Sequence, residues 1–344
     1  MRWAILGIGR VTPRMVQAIR GCPGHSLVRV AARDPIKLAQ WQQQHGVERG
    51  STDFLATIEA DDVDAVYVAL PPSEHARWSI AALERGKRVL CEKPLAANVE
   101  DAEAMLKASR RTGLPIVHAT GFPFHPRSEA IRSIVQSGDL GRICRVTIAC
   151  SFSGILERPG DHRASVSAGG GCLLDLGWYC VYATAWLTGQ HPTFMQSIGT
   201  RAAPGGNDSA WEHVQTVARL SGGAVASWDC GYDAAGRKWI EIAGTRASVI
   251  CDDFIRPWDL DKPRFWVHGQ DGKAKSESMG EGLLQETKMV EAVEKSSLQE
   301  SLQSLELAVH TQRVLSRIDE ELASSAKKEA ADGFVGASLR LKMS

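Results

Sequence analysis

The sequence predicts an α/β protein of two domains: an N-terminal domain on a parallel, doubly wound sheet, and a C-terminal α+β domain with a mostly antiparallel open sheet. Three observations predict it. Short apolar runs alternate with helical patterns through the first third of the chain, and the glycine pair Gly7 and Gly9 directly follows the first of those runs. The later chain carries strand-like runs separated by Gly, Asp and Asn. At 344 residues the chain also exceeds the size at which a single core stays single. The change of texture after Gly121 divides it into residues 1–121 and 122–344.

Each element follows from its pattern. Apolar runs at 3–6, 27–32, 65–69, 88–91 and 115–118 read as buried strands, and helical periodicity at 15–19, 36–44, 75–84 and 99–110 separates them. Such alternation implies right-handed βαβ units with helices on both faces of a parallel sheet. Beyond 121, a helix is expected over 127–136 and a long strand over 145–152. Alternating runs at 214–220, 224–228, 239–242 and 248–251 then predict a largely antiparallel sheet. Helical patterns at 284–293 and 302–318 close the chain, while 203–209 and 271–280 read as loops.

Composition narrows the partners. Forty basic residues balance forty acidic ones, so no charge argument favours nucleic acid or an anionic membrane, and a small-molecule partner is the default. No apolar stretch has the length of a membrane span and none reads as a secretion signal, so the expected location is cytoplasmic. The eight cysteines are scattered without CxxC or metal-like spacing. They read as reduced core residues, and no metal site is expected.

The turn Gly7-Ile8-Gly9-Arg10-Val11-Thr12-Pro13 lies where a buried strand passes into a helix. Gly7 permits the turn and Gly9 lets a pyrophosphate approach the backbone at the helix N-terminus, where free N–H groups favour negative charge. With the βαβ series behind it, this reads as a Rossmann dinucleotide site, with Arg10 and Val11 beside the phosphates and Thr12 in place of the third glycine. Arg33, at the end of the second strand, suits a 2′-phosphate and favours NADP(H) over NAD(H), which stays possible. Asp34 next to it either reads the ribose or, with Pro35, caps the following helix.

Lys93 stands at the carboxyl end of a predicted buried strand, the edge where such sheets bind ligands, and Pro94 biases it away from helix. Further on, Gly169-Gly170-Gly171 precedes a helix on which Asp175, Tyr179 and Tyr182 share one face by i, i+4 and i+3 spacing. A phenol ionises near pH 10, so Tyr179 needs a nearby cation to act as a base, whereas protonated it can donate to a carbonyl unaided.

The stretches Asp64-Ala65-Val66-Tyr67-Val68-Ala69-Leu70-Pro71-Pro72-Ser73-Glu74-His75, Glu92-Lys93-Pro94 and 169–179 resemble the Gfo/Idh/MocA family of oxidoreductases. The resemblance runs over most of the chain. It implies an NAD(P)-dependent dehydrogenase or reductase acting on CH–OH groups of a sugar, polyol or related hydroxy or keto compound. It implies that Lys93, Tyr179 and Asp175 carry the chemistry, with Leu70, Pro71, His75 and Glu92 at the cofactor and His125, Arg163 and Tyr182 at the substrate. Four of these have a plainer alternative: Tyr182 a core aromatic, His125 a turn residue, His75 a helix start and Arg163 a surface cation. Tyr182 and Pro123 depart from the pattern of many relatives, which keeps open a non-catalytic dinucleotide sensor of the same fold. A third possibility retains its cofactor and cycles between two substrates. The second sheet is expected to pair subunits as a homodimer or homotetramer, and loops 153–168 and 203–211 to select the substrate.

Overall fold

A computed structural model describes residues 1–158, 160–202, 210–280, 282 and 284–341, with the backbone alone from 326 onward. The first sheet is built from β1 (Arg2–Leu6), β2 (Ser26–Ala31), β3 (Arg49–Ser51), β4 (Ala65–Val68), β5 (Arg88–Cys91) and β6 (Ile116–His118). All are parallel, in the order β3-β2-β1-β4-β5-β6. The helices between them are α1 (Thr12–Gly21), α2 (Pro35–His45), α3 (Phe54–Glu59), α4 (Pro72–Glu84) and α5 (Val99–Thr112). Burial on both faces explains why these strands are unbroken apolar runs: all four residues of β4 are buried, as are Trp3 to Leu6 of β1. The short β3 and α3 were not expected, since three and six residues carry too little periodicity to announce themselves.

The second sheet follows α6 (Pro126–Ser137) and is interrupted by α7 (Trp178–Thr188). Its strands are β7 (Ile143–Ser151), β8 (Pro192–Arg201), β9 (Trp211–Leu220), β10 (Val225–Gly231), β11 (Arg237–Gly244), β12 (Ala247–Cys251), β13 (Arg264–Gly269) and β14 (Ala274–Ser278). They run in the order β14-β13-β12-β11-β7-β10-β9-β8. Only β7 and β10 pair in parallel among these eight; every other pair is antiparallel. The expected loop over 271–280 is corrected in part: β14 occupies its middle as an edge strand. Cross-strand bonds to β13 hold it and most of its side chains are exposed, so it leaves no alternating apolar signal. The loop expected over 203–209 lies outside the described residues.

Two helices finish the chain, α8 (Leu284–Lys295) and α9 (Leu298–Leu341). Met289, Val290 and Val293 of α8 pack into the same core as Trp3, Ile5 and Tyr67 of the first sheet. The chain end therefore covers one face of the parallel sheet. All eight cysteines are free thiols, and no described helix is long and apolar enough to cross a membrane.

The order of the first sheet reverses between β1 and β4, which opens a crevice at their carboxyl ends. Gly7 forms its floor with φ +96°, and a Cβ there would stand 2.4 Å from the Ala69 carbonyl oxygen. Neither the backbone angle nor the space admits a side chain. Gly7→Ala should therefore lower unfolding stability by about 2 kcal/mol or more, measured by urea denaturation; an unchanged midpoint would show that the turn can relax.

Candidate active site

A groove of about 440 Å³ runs along that crevice. Of the residues expected to hold a dinucleotide, Gly7, Gly9, Arg10, Val11, Arg33, Leu70, Pro71, Glu92 and Lys93 line it. At the phosphate end, Val11 caps α1 without a side-chain acceptor, so the amide end of the helix is left to a ligand. The space beside Gly9 is open, with the nearest atom 3.9 Å from where a Cβ would stand. Thr12, in the third glycine's place, is fully buried and its hydroxyl donates to the Gly9 carbonyl at 2.7 Å, bracing the turn instead of approaching a ligand. These features fit a pyrophosphate.

At the end of β2 the structure separates the roles of Arg33 and Asp34. The Asp34 carboxylate accepts from the amides of Ile36 (3.0 Å) and Lys37 (3.1 Å), capping α2. Arg33 is exposed on the groove, and Lys37 lines it too.

Where β5 ends, Lys93 meets a charge cluster. Its ammonium donates to Asp175 Oδ1 at 2.5 Å and to the Asp175 carbonyl at 2.8 Å, and lies 4.6 Å over the ring of Tyr179. Asp175 Oδ2 accepts from Arg163 Nε at 2.8 Å and from the Tyr232 hydroxyl at 3.0 Å. Asp175 sits in a π-helical turn, Leu173–Gly177, immediately before α7, which carries Tyr179. The glycines ahead of it make this possible. A Cβ on Gly170 would come within 2.4–2.6 Å of the carbonyls of His162, Ser165 and Arg163. The amides of Gly170 and Gly171 donate to Ser165 O and Arg163 O, both at 2.8 Å, which ties the 162–168 loop to the turn bearing Asp175.

Charge compensation sets the protonation states. Burial alone would raise the Asp175 carboxyl, but Lys93 and Arg163 outweigh it and hold it well below the usual carboxylate range. Burial alone would lower Lys93, and the charge and hydrogen bond of Asp175 together with Tyr179 outweigh that and raise it above the ordinary lysine value. For Tyr179 burial raises the phenol; Lys93 opposes this, but Asp175 and Glu92 add to it and the net shift is upward. Tyr179 is thus a protonated donor at neutral pH, and the base-like phenolate is disfavoured. Burial likewise raises Glu92, which lines the groove and whose carboxylate accepts from the buried Tyr67 hydroxyl.

Asp175, Tyr179 and Arg163 gather around Lys93 behind the groove lining, and three further expected site residues lie apart from that cluster. His75 is fully buried, its ring nitrogens 2.9 Å from Pro94 O and 2.8 Å from Leu70 O. It braces the two segments that line the groove, including the cis Lys93–Pro94 peptide, from behind. His125 is buried and accepts the Arg127 amide at 3.1 Å as the cap of α6, which is the turn role its position before proline allowed. Tyr182 points into the core: its hydroxyl is 3.1 Å from His118 Nε2 and its ring stacks on Trp178. Tyr182 follows Tyr179 on the same helix face but stands almost a turn further along it, where it meets His118 and not Lys93. His162 lines the groove beside Arg163, and neither it nor Tyr232 was singled out beforehand. Adjacency to Arg163 is the signal that could have flagged His162; no spacing ties Tyr232 to the site.

Comparison with known proteins adds independent findings. A family model described as an oxidoreductase family with an NAD-binding Rossmann fold matches residues 1–120, and one for the GFO/IDH/MocA C-terminal domain matches residues 128–250. The trans-1,2-dihydrobenzene-1,2-diol dehydrogenase of Bos taurus is 28% identical over 313 residues, covering 88% of this chain and 90% of the relative. A dTDP-3,4-didehydro-2,6-dideoxy-alpha-D-glucose 3-reductase of Saccharopolyspora spinosa is 31% identical, covering 71% and 72%. Among solved structures, a 3-ketoreductase from Actinomadura kijaniata in complex with NADP and TDP-benzene shares the fold with TM-score 0.80 at 23% identity, covering 93% and 97%. Levoglucosan dehydrogenase in complex with NADH and levoglucosan does so with TM-score 0.79 at 20% identity, covering 94% and 97%.

The depressed Asp175 has a consequence for stability. A carboxyl whose folded pKa lies below its unfolded one contributes stability above the unfolded value, and that contribution is lost as pH falls toward the folded value. The stability advantage of wild type over Asp175→Asn should be level above about pH 5 and shrink below about pH 4, measured by denaturant unfolding across pH. An advantage that grows on acidification would contradict the charge assignment.

Proposed function

From the premise that the chain belongs to the Gfo/Idh/MocA oxidoreductase family, we propose that it is an NADP(H)-dependent dehydrogenase or reductase acting on a sugar, diol or related hydroxy or keto compound. The observation that carries this reading is the meeting of Lys93, which lines the groove, with Tyr179 and Asp175. A protein that only sensed the dinucleotide would need no buried ammonium and protonated phenol side by side there. When bound, nicotinamide supplies or takes up the hydride.

The remaining work belongs to the chain. The Tyr179 phenol donates its proton to the substrate oxygen in reduction and takes it back in oxidation. Lys93 favours negative charge on that oxygen and on the phenolate left behind, which makes each transfer easier. Asp175 orients Lys93 and keeps it charged, while Arg163 occupies the other carboxylate oxygen so that Asp175 does not itself take the proton. Gly7, Gly9, Arg10 and Val11 would hold the pyrophosphate, Leu70, Pro71 and Glu92 would line the path to the reaction end, and Arg33 would hold the 2′-phosphate. Subunit pairing is proposed through the outer face of the second sheet, where Phe194, Ile198 and Val217 are exposed on β8 and β9.

Lys93→Met and Tyr179→Phe should each lower kcat by about 100-fold or more on the best substrate of a sugar and diol panel, with the dinucleotide Kd nearly unchanged. Turnover equal to wild type in either variant would remove that residue from the mechanism. Arg33→Ser should raise KM for NADPH by about tenfold or more while leaving NADH within about threefold; equal effects on both would argue against 2′-phosphate recognition. Sedimentation velocity should report a dimer or tetramer, and a monomer at all concentrations would dismiss pairing through the sheet.

A further inference from the structure

Asp161 belongs to neither end of the groove, yet touches residues of both. Its Oδ2 accepts from Arg10 Nη2 at 2.8 Å, and Arg10 is part of the phosphate-binding turn. Its Oδ1 accepts from the Arg163 amide at 3.2 Å and from Arg163 Nη1 at 3.3 Å. Arg163 in turn holds Asp175, and Asp175 holds Lys93. Five groups of alternating sign, Arg10, Asp161, Arg163, Asp175 and Lys93, thus form one unbroken row from the end of β1 to the end of β5. The Asp161 side chain is only 9% exposed, against 58% for Arg10, so the carboxylate is the fixed member of that first pair.

A carboxylate this near a helix N-terminus that receives phosphates is unfavourable for affinity by itself, because like charges repel at short range. Only a cation between them removes the conflict, and Arg10 stands there. The return on Asp161 must therefore be collected elsewhere in the row. We propose that Asp161 is a positioning residue that fixes Arg163 on the Asp175 carboxylate, and that Arg10 shields the cofactor's phosphates from it, so that one side chain joins cofactor binding to the setting of Lys93.

This rests on the cofactor reading above, and it makes opposite predictions for the two neighbours. Removing Arg10 exposes the phosphates to Asp161, so affinity falls by more than one lost contact, and removing Asp161 as well returns part of it. Removing Asp161 alone spares affinity and loosens Arg163, so the loss falls on kcat.

The test measures NADPH Kd by fluorescence titration without substrate, together with kcat and KM on the best panel substrate. The proteins are wild type, Arg10→Met, Asp161→Asn, Asp161→Glu and the double variant Arg10→Met/Asp161→Asn. Arg10→Met should weaken Kd by about tenfold, and adding Asp161→Asn should recover about threefold of it. Asp161→Asn alone should leave Kd within about twofold and lower kcat about tenfold, with Asp161→Glu restoring most of the loss. Purely additive effects on Kd, or an Asp161→Asn enzyme with wild-type kcat, would overturn the proposal while the cofactor reading stands. A wild-type protein that binds no dinucleotide would overturn that reading, and the proposal with it. Urea midpoints of the variants separate a positioning loss from a folding loss: Asp161→Glu restoring kcat at an unchanged midpoint supports positioning, and kcat that follows the midpoint across the series overturns it.

Discussion

The ion pair between Lys93 and Asp175 is the constraint around which the molecule is arranged. Both groups are nearly shut off from solvent, with side chains 11% and 10% exposed, and a buried charge without its partner costs about 3–5 kcal/mol. Each therefore requires the other, although one follows a strand of the first sheet and the other precedes a helix packed on the second. The pair holds the parallel sheet's carboxyl edge against the second half of the chain at the place where the groove ends. Arg163 and Tyr232 both donate to the second oxygen of Asp175, which favours its ionised form and so helps keep the ammonium of Lys93 charged.

From that pair the division of labour along the groove follows. The phosphate end is built from backbone, a glycine turn and an amide-bearing helix terminus that discriminate little beyond charge. The reaction end is built from side chains whose protonation states are set by one another. The steric demands match: Gly7 is fixed by the Ala69 carbonyl, and Gly170 by three carbonyls of the 162–168 loop, so backbone approaches backbone at both ends. Those close approaches position groups that are far apart in sequence without needing long side chains to span the gap.

Much of this was legible in the sequence for identifiable physical reasons. Strands buried on both faces write themselves as apolar runs, and a strand-to-helix turn that must admit a phosphate writes itself as Gly7 and Gly9. Lys93 stood out because a lysine bracketed by an apolar strand and a proline is hard to place on an ordinary surface. Tyr182, His75 and His125 each carried two readings because residue type and spacing state which stripe of a helix a side chain occupies, but not which neighbour that stripe faces. Tyr182 faces His118, and the two histidines satisfy backbone groups. The edge strand β14 left no pattern because exposed edges are held by hydrogen bonds that any polar residue permits. Tyr232 reaches Asp175 across 57 positions, a distance over which no local pattern speaks.

The central claim is that Asp175 keeps a buried Lys93 charged against the pull of desolvation. Nitrogen-15 NMR of the lysine ammonium groups, titrated in wild type and in Asp175→Asn with Lys93→Met for assignment, measures it directly. The account predicts that Lys93 titrates above the ordinary lysine value in wild type and drops when Asp175 is neutralised, as burial and Arg163 are then opposed by Tyr179 alone. A Lys93 titration that is the same in both proteins would contradict it.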